Sequence, residues 1–426
     1  MLYSINGARA WRGAEGETPG MSKRIRLTLI SISCFLLFYI IIGGLLGKND
    51  SSTQDKAYRD LGVYSEVLTR IKHDYVTEPS LTKVTDGAIR GLLEALDPYS
   101  TYFTPQQYQA YLQQPEPGPG DVGLFVAKRL GFATVVSMLP GSPAEKAGIK
   151  LGDLLDLVDG TSTRELSVVQ IMRALAGPPG STVTLAVVRE ARGEPQKMTL
   201  TRAALIYPPV ITKMIDDDAY LRVATFNKGK AAELAAKLKE LGAQGAKKAI
   251  LDLRNCAGGD PQEAIATANL FLDKGLITYI TGQRYPREDV NANSSKQVWR
   301  LPMAVLINQS TAGPAELVAS AILGNKRGEI VGIRSFGVGV VQKLIPVGDG
   351  SAILLSVAKY YGPDGRPIHD NGVTPSVIQS AGREIASADD EENEQETPEQ
   401  FGGKDDLQLQ KAIEILKQGS APAKAA

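Results

Sequence analysis

Imidazole and thiol side chains, the most versatile bases, nucleophiles and metal ligands, are sparse in this 426-residue chain. Its histidines, His73 and His369, and its cysteines, Cys34 and Cys256, form no Cys/His cluster, so neither a zinc site nor any other cofactor is expected. Cys34 lies in the most apolar stretch and Cys256 in a soluble segment, which argues against a disulfide between them. His73, among charged neighbours, reads as a solvated or capping imidazole. His369 precedes Asp370 in the loop 366–372, where a base is imaginable, but the expectation is a solvent-exposed loop histidine. A thiolate at Cys256 would need a lowered pKa and a partner group that the sequence does not offer, so a small buried cysteine is expected there.

Charge narrows the function classes further. Lys plus Arg and Asp plus Glu both number 47, and no basic run interleaved with aromatics lies beyond the first membrane flank, so nucleic acid is not an expected partner. With 43% hydrophobic residues the chain can bury two or three separate cores. The segment 27–46 carries 20 residues without a charge, about the length that spans a bilayer as a helix. Lys23, Arg24 and Arg26 precede it, which places residues 1–26 in the cytoplasm and the bulk of the chain in the periplasm or outside the cell, on a single-pass inner-membrane anchor. A cleaved signal peptide is the competing reading, but its apolar core usually runs about 7 to 15 residues and ends at a small-residue site, which Gly43 to Gly47 supply poorly.

Beyond the membrane, Leu61, Tyr64, Val67, Leu68 and Ile71 recur at helical spacing, and further helices are predicted over 85–96 and 105–114, within a helical region 54–116. The Pro/Gly run 115–120 marks a boundary. Short strands with one helix near 168–175 then suggest a β-rich binding domain over 120–203. From Tyr207 strands and helices alternate, predicting a layered α/β domain over 204–380. Residues 381–426 form an acidic tail: 388–400 reads as solvated and disordered, while 407–416 is predicted as a terminal helix that either docks on its own domain or serves oligomerisation.

Pro140-Gly141-Ser142-Pro143-Ala144-Glu145-Lys146-Ala147-Gly148-Ile149, Gly152-Asp153-Leu154-Leu155 and Val158-Asp159-Gly160 resemble a PDZ domain. That resemblance implies a carboxylate loop at Val122, Gly123, Leu124 and Phe125, whose amides receive a protein or peptide C-terminus added as a strand, with Phe125 lining the side-chain pocket. Leu251-Asp252-Leu253-Arg254-Asn255 with Gly258-Gly259, Val305 to Asn308, Ala315 to Ala319, Phe336-Gly337, Val341-Gln342, Gly365-Arg366 and Gly372 to Pro375 are similar, in order, to the carboxyl-terminal processing (tail-specific) serine peptidases. The fold thus implied is multi-domain α/β: a transmembrane helix, a helical segment, a PDZ domain and a layered α/β peptidase-like core.

Family members use a serine nucleophile and a lysine base. Here the resemblance puts Gly313 at the serine and Val338, 25 positions on, at the lysine, while Gln342, which orients the lysine, is retained and Gly258 and Gly259 are the oxyanion-loop candidates. Glycine cannot attack and valine cannot take a proton, so a pseudopeptidase with a regulatory or adaptor role is expected, its partners being chain ends and an active homologue or another copy of itself. The alternative is an active serine-type peptidase with a displaced nucleophile such as Ser310. Lys343 should point away from the face of Val338 and Gln342, and Lys326 lies at the far end of the helix after Gly313, so neither substitutes readily for the base.

Overall fold

The computed structural model describes residues 28, 31–33, 35–39, 51–113, 118–129, 131–189, 193–381 and 401–419. The expected membrane span 27–46 and the acidic run 388–400 fall mostly or wholly outside these. Among the described residues no helix is long and apolar enough to cross a membrane. The chain divides into two units, Met1–Val84 and Thr85–Ala426.

In the first unit, helix α1 (Ser51–Asp74) carries the predicted stripe: Tyr64, Leu68 and Ile71 are half-buried, Leu61 and Val67 exposed. Helix α2 (Leu81–Glu94) begins four residues before its predicted start, because the Ser80 hydroxyl accepts the Lys83 amide and serves as its cap. It stops ahead of Asp97, whose carboxylate takes the Tyr99 and Ser100 amides. Strand β1 (Thr101–Phe103) and helix α3 (Pro105–Gln113) follow, the latter opened by a reciprocal Thr104–Gln107 capping box.

The β-rich domain runs β2 (Gly120–Asp121), β3 (Leu124–Arg129), β4 (Phe132–Met138), α4 (Pro143–Lys146), β5 (Leu154–Val158), β6 (Thr161–Ser162), α5 (Val168–Leu175), β7 (Thr182–Val188), β8 (Gln196–Thr201) and β9 (Ala203–Ala204). Its sheet has the order β3-β4-β5-β7-β8, so β3 is an edge strand, with α5 beside it. Val122, Leu124, Val126, Leu155, Ile171 and Leu185 fill the core.

The third part comprises β10 (Ile211–Ile215), β11 (Asp218–Arg222), α6 (Lys230–Ala243), β12 (Lys248–Asp252), α7 (Pro261–Phe271), β13 (Leu276–Thr281), β14 (Glu288–Asn291), β15 (Met303–Ile307), α8 (Pro314–Gly324), β16 (Glu329–Gly332), β17 (Val340–Pro346), β18 (Ala352–Tyr361), β19 (Val377–Ile378) and α9 (Leu407–Gly419). Its main sheet is β10-β11-β12-β15-β16-β19, parallel except for β10 at one edge. Strands β12 and β15 are buried at every residue, which is why they read as continuous apolar runs. One face packs under α6, α7 and α8; the other, with Ile250, Leu306 and Val331, is covered by Leu409, Ala412, Ile413 and Leu416 of α9. Of the two roles the sequence left open for the terminal helix, docking on its own domain is the one observed. A buried lattice fastens it: the Arg254 guanidinium donates to Asp252, to both carboxylate oxygens of Asp406 and to Gln408.

Candidate active site

Strand β15 ends at Ile307, and the turn 308–313 is built around Asn308. Its carboxamide oxygen accepts the Asn255 and Ser310 amides, and its Nδ2 donates to the Asn255 side chain at 2.6 Å. Thr311 is spoken for: its hydroxyl donates to the Leu253 carbonyl and accepts the Asn308 amide. The turn delivers Gly313 at φ 63° and ψ −119°, directly before α8. Such a strained strand-to-helix turn can display a nucleophilic hydroxyl. A Cβ added at Gly313 would meet nothing within 4 Å. The backbone and the space are in place; the hydroxyl is not.

Glu316 is the organising side chain, fully buried one turn into α8. One carboxylate oxygen accepts the Gly313 and Val338 amides, both at 2.8 Å, and the other accepts the Gly337 amide and the Ser335 hydroxyl. Because both amides reach the same oxygen, the nitrogens of Gly313 and Val338 are at most twice that distance apart. The structure therefore brings together the two positions that the sequence paired across 25 residues. Burial pushes the Glu316 carboxyl up to about 7, against the pull of its four donors. Pro314, at the first position of α8, has no amide to offer, and the Gly313 amide is already taken. The helix start thus offers no free amide at Gly313 or Pro314.

The glycine pair lies across the same turn, tied to it by the Ala312 amide donating to the Cys256 carbonyl at 2.9 Å. Gly258 and Gly259 have φ of 72° and 104°, and a Cβ on Gly259 would fall 2.4 Å from the Phe226 backbone, so that position is restricted to glycine. Cys256 is buried as expected, and burial raises its thiol, the wrong direction for a nucleophile. Ser310 is buried at 5% exposure, and among the described residues no hydrogen bond or ion pair joins it to a lysine or histidine. Gln342 Nε2 donates to the Tyr99 carbonyl at 2.8 Å. Lys326 and Lys343 are exposed.

Two expectations require correction. His369 is 2% exposed, not a solvated loop residue. The turn that carries it is folded inward by the Asp370 amide on Gly337 and the Ile368 amide on Tyr360, and its ring stands edge-on to Tyr99 at 5.5 Å. Burial lowers its pKa, and Nδ1 has no hydrogen-bond partner among the described residues. Phe125 does not line the groove of the β-rich domain. Strand β3 starts at Leu124, so alternation sends Leu124 and Val126 into that domain's own core and turns Phe125 and Ala127 to the opposite face. There Phe125, Ala127 and Val136 pack with Ala257, Ala312, Phe336 and Val338, while the Ser137 hydroxyl donates to the Asn255 carbonyl at 2.6 Å. The β3–β4 hairpin consequently rests on the substituted site.

The loop ahead of β3 is held by its carbonyls. Leu139 donates to Gly123 and Ala144 to Val122, and Gly123 has φ 82° with Ser142 too close to allow a Cβ. The Gly123 and Leu124 amides, which share those peptide planes, point away from Leu139 and Ala144. Val122 and Gly123 are thus loop residues, and Leu124 and Phe125 open the strand.

The pattern of Peptidase family S41 matches residues 217–378 and that of the PDZ domain residues 134–189. The chain is 32% identical over 356 residues to the carboxy-terminal processing protease CtpA of Bacillus subtilis, covering 83% of this chain and 75% of that protein. It is 33% identical over 318 residues to the carboxyl-terminal-processing protease of Synechocystis, covering 72% and 74% respectively. Among solved structures, the photosystem II D1 C-terminal processing protease superposes with a TM-score of 0.61 at 28% identity, over 74% of this chain and 92% of that one. With the ordered motifs, the Glu316-stapled turn and an edge-strand groove on the page, the chain belongs to the carboxyl-terminal processing protease family, peptidase family S41, and carries a PDZ domain.

Proposed function

We propose that this chain is a pseudopeptidase of its family: a membrane-anchored, envelope-facing protein that takes polypeptide chain ends into the β3–α5 groove of its PDZ domain and does not hydrolyse them. One observation carries the reading. At the nucleophile position stands Gly313, its amide consumed by Glu316, followed by Pro314 without an amide, and at the base position stands Val338, packed in an apolar cluster. Nucleophile, base and helix-end donors are missing together, whereas the supporting turn remains. A retained scaffold without its chemistry suits binding, with an adaptor or regulatory role toward an active homologue. The anchor rests on the uncharged 27–46 segment and its basic flank.

The test is incubation of the full chain in detergent with an unfolded protein bearing a small apolar carboxyl-terminal tag. No product is expected, and the Ser310→Ala variant should behave identically. Cleavage that Ser310→Ala abolishes would establish the displaced-nucleophile alternative and end this reading.

A further inference from the structure

The loop that should receive a chain end already holds a carboxylate. Asp121 Oδ1 accepts the Gly123 amide at 2.6 Å. That amide shares a peptide plane with the Val122 carbonyl, which accepts the Ala144 amide, so its N–H is directed away from α4. The location of Asp121 is enforced by its backbone: β2 pairs with β9 through Asp121 and Ala203, and Gly120 exchanges hydrogen bonds with Gly177 just after α5. The nearest cation, Arg202, is largely committed elsewhere. It donates to the Ala174, Leu175 and Thr182 carbonyls and pairs with Asp159 at 3.7 Å. A second carboxylate entering this loop would therefore meet an occupied donor and a like charge, with Arg202 largely committed to its other partners.

We propose that Asp121 is an internal competitor for the peptide α-carboxylate: its side chain occupies the chain-end loop, so that a free C-terminus binds only by displacing it. The inference rests on the chain-end reading of the groove. Asp121 is then the specificity-determining residue of the PDZ domain. It weakens capture of free chain ends while leaving strand addition along β3, which needs no terminal charge, untouched. The groove of the native chain should accordingly discriminate poorly between a peptide with a free carboxylate and the same peptide amidated.

The experiment measures binding of one fluorescent apolar-ended decapeptide, as free acid and as amide, to the full-length protein and to its Asp121→Gly and Asp121→Asn variants. Asp121→Gly frees the Gly123 amide and removes the charge; Asp121→Asn keeps an oxygen on Gly123 but removes the charge. The free acid should bind Asp121→Gly at least about tenfold tighter than it binds the native chain, the gain expected of recovered charge-assisted hydrogen bonds. Asp121→Asn should fall between them, and the amide should bind all three alike. Equal free-acid affinity for the native chain and both folded variants overturns the proposal. If neither peptide binds any of the three, the chain-end reading of the groove itself is lost.

Discussion

Glu316 alone holds the Gly313, Gly337 and Val338 amides and the Ser335 hydroxyl in place. Its folded-state pKa of about 7 lies above the ordinary value of 4.5. Between those values the native protein holds a proton that the unfolded chain has released, so this carboxyl's contribution to stability falls as pH rises through the window and is level above it. Denaturant unfolding of the native chain should lose up to on the order of 3 kcal/mol from pH 4.5 to 7 relative to Glu316→Gln, which has no such slope. A Gly313→Ser, Val338→Lys double variant should fold yet remain inactive. Adding Pro314→Ala returns a helix-end amide, and one such donor is typically worth about a hundredfold to a thousandfold in turnover. A triple variant no faster than the double would show that the helix end is not where the oxyanion would lie. These positions were legible because the family resemblance runs without a gap from Asn308 to Gln342, and it is that resemblance which pairs Val338 with Gly313. The burial of His369 was not legible, since it depends on Tyr99, a residue remote in sequence, and on backbone bonds to Gly337 and Tyr360.

At the level of elements, periodicity placed most strands and helices, and the departures have local causes. The Ser80 cap starts α2 early. The orientation of Phe125 turned on which alternate set of β3 faces its own core, and a one-residue slip would exchange the two faces. The terminal helix has the clearest energetic signature. Arg254 and Asp406 are 2% and 8% exposed and share two hydrogen bonds, with the Phe401 ring stacked on the guanidinium at 4.5 Å. Arg254→Ala leaves Asp252 and Asp406 buried without their partner and should cost roughly 3–5 kcal/mol, read from chemical denaturation. Limited proteolysis of that variant should release the 401–419 segment first. Unchanged stability would mean that the apolar face of α9 alone secures it.

For the molecule as a whole, the position of the PDZ hairpin over the substituted site was beyond the reach of the sequence, because it depends on contacts between segments more than a hundred residues apart. Val338 lies in that contact, among Phe125, Ala127, Val136 and Phe336. A lysine there would place a cation in an apolar cluster, which is costly unless the hairpin lifts. Val338→Lys should therefore speed amide hydrogen exchange across 124–138 while leaving β12 and β15 protected. Equal exchange in both proteins would show that the hairpin does not depend on an apolar neighbour at that position.

The covering of the main sheet by α9 also bears on how the protein is made. Strands β11, β12, β15 and β16 are synthesised long before Leu409, Ala412, Ile413 and Leu416, so their second apolar face stays uncovered until those residues emerge. Throughout that interval Ile250, Leu306 and Val331 lie open to the wrong partners. Slowing synthesis ahead of residue 407 should therefore raise aggregation more than the same delay imposed before β10.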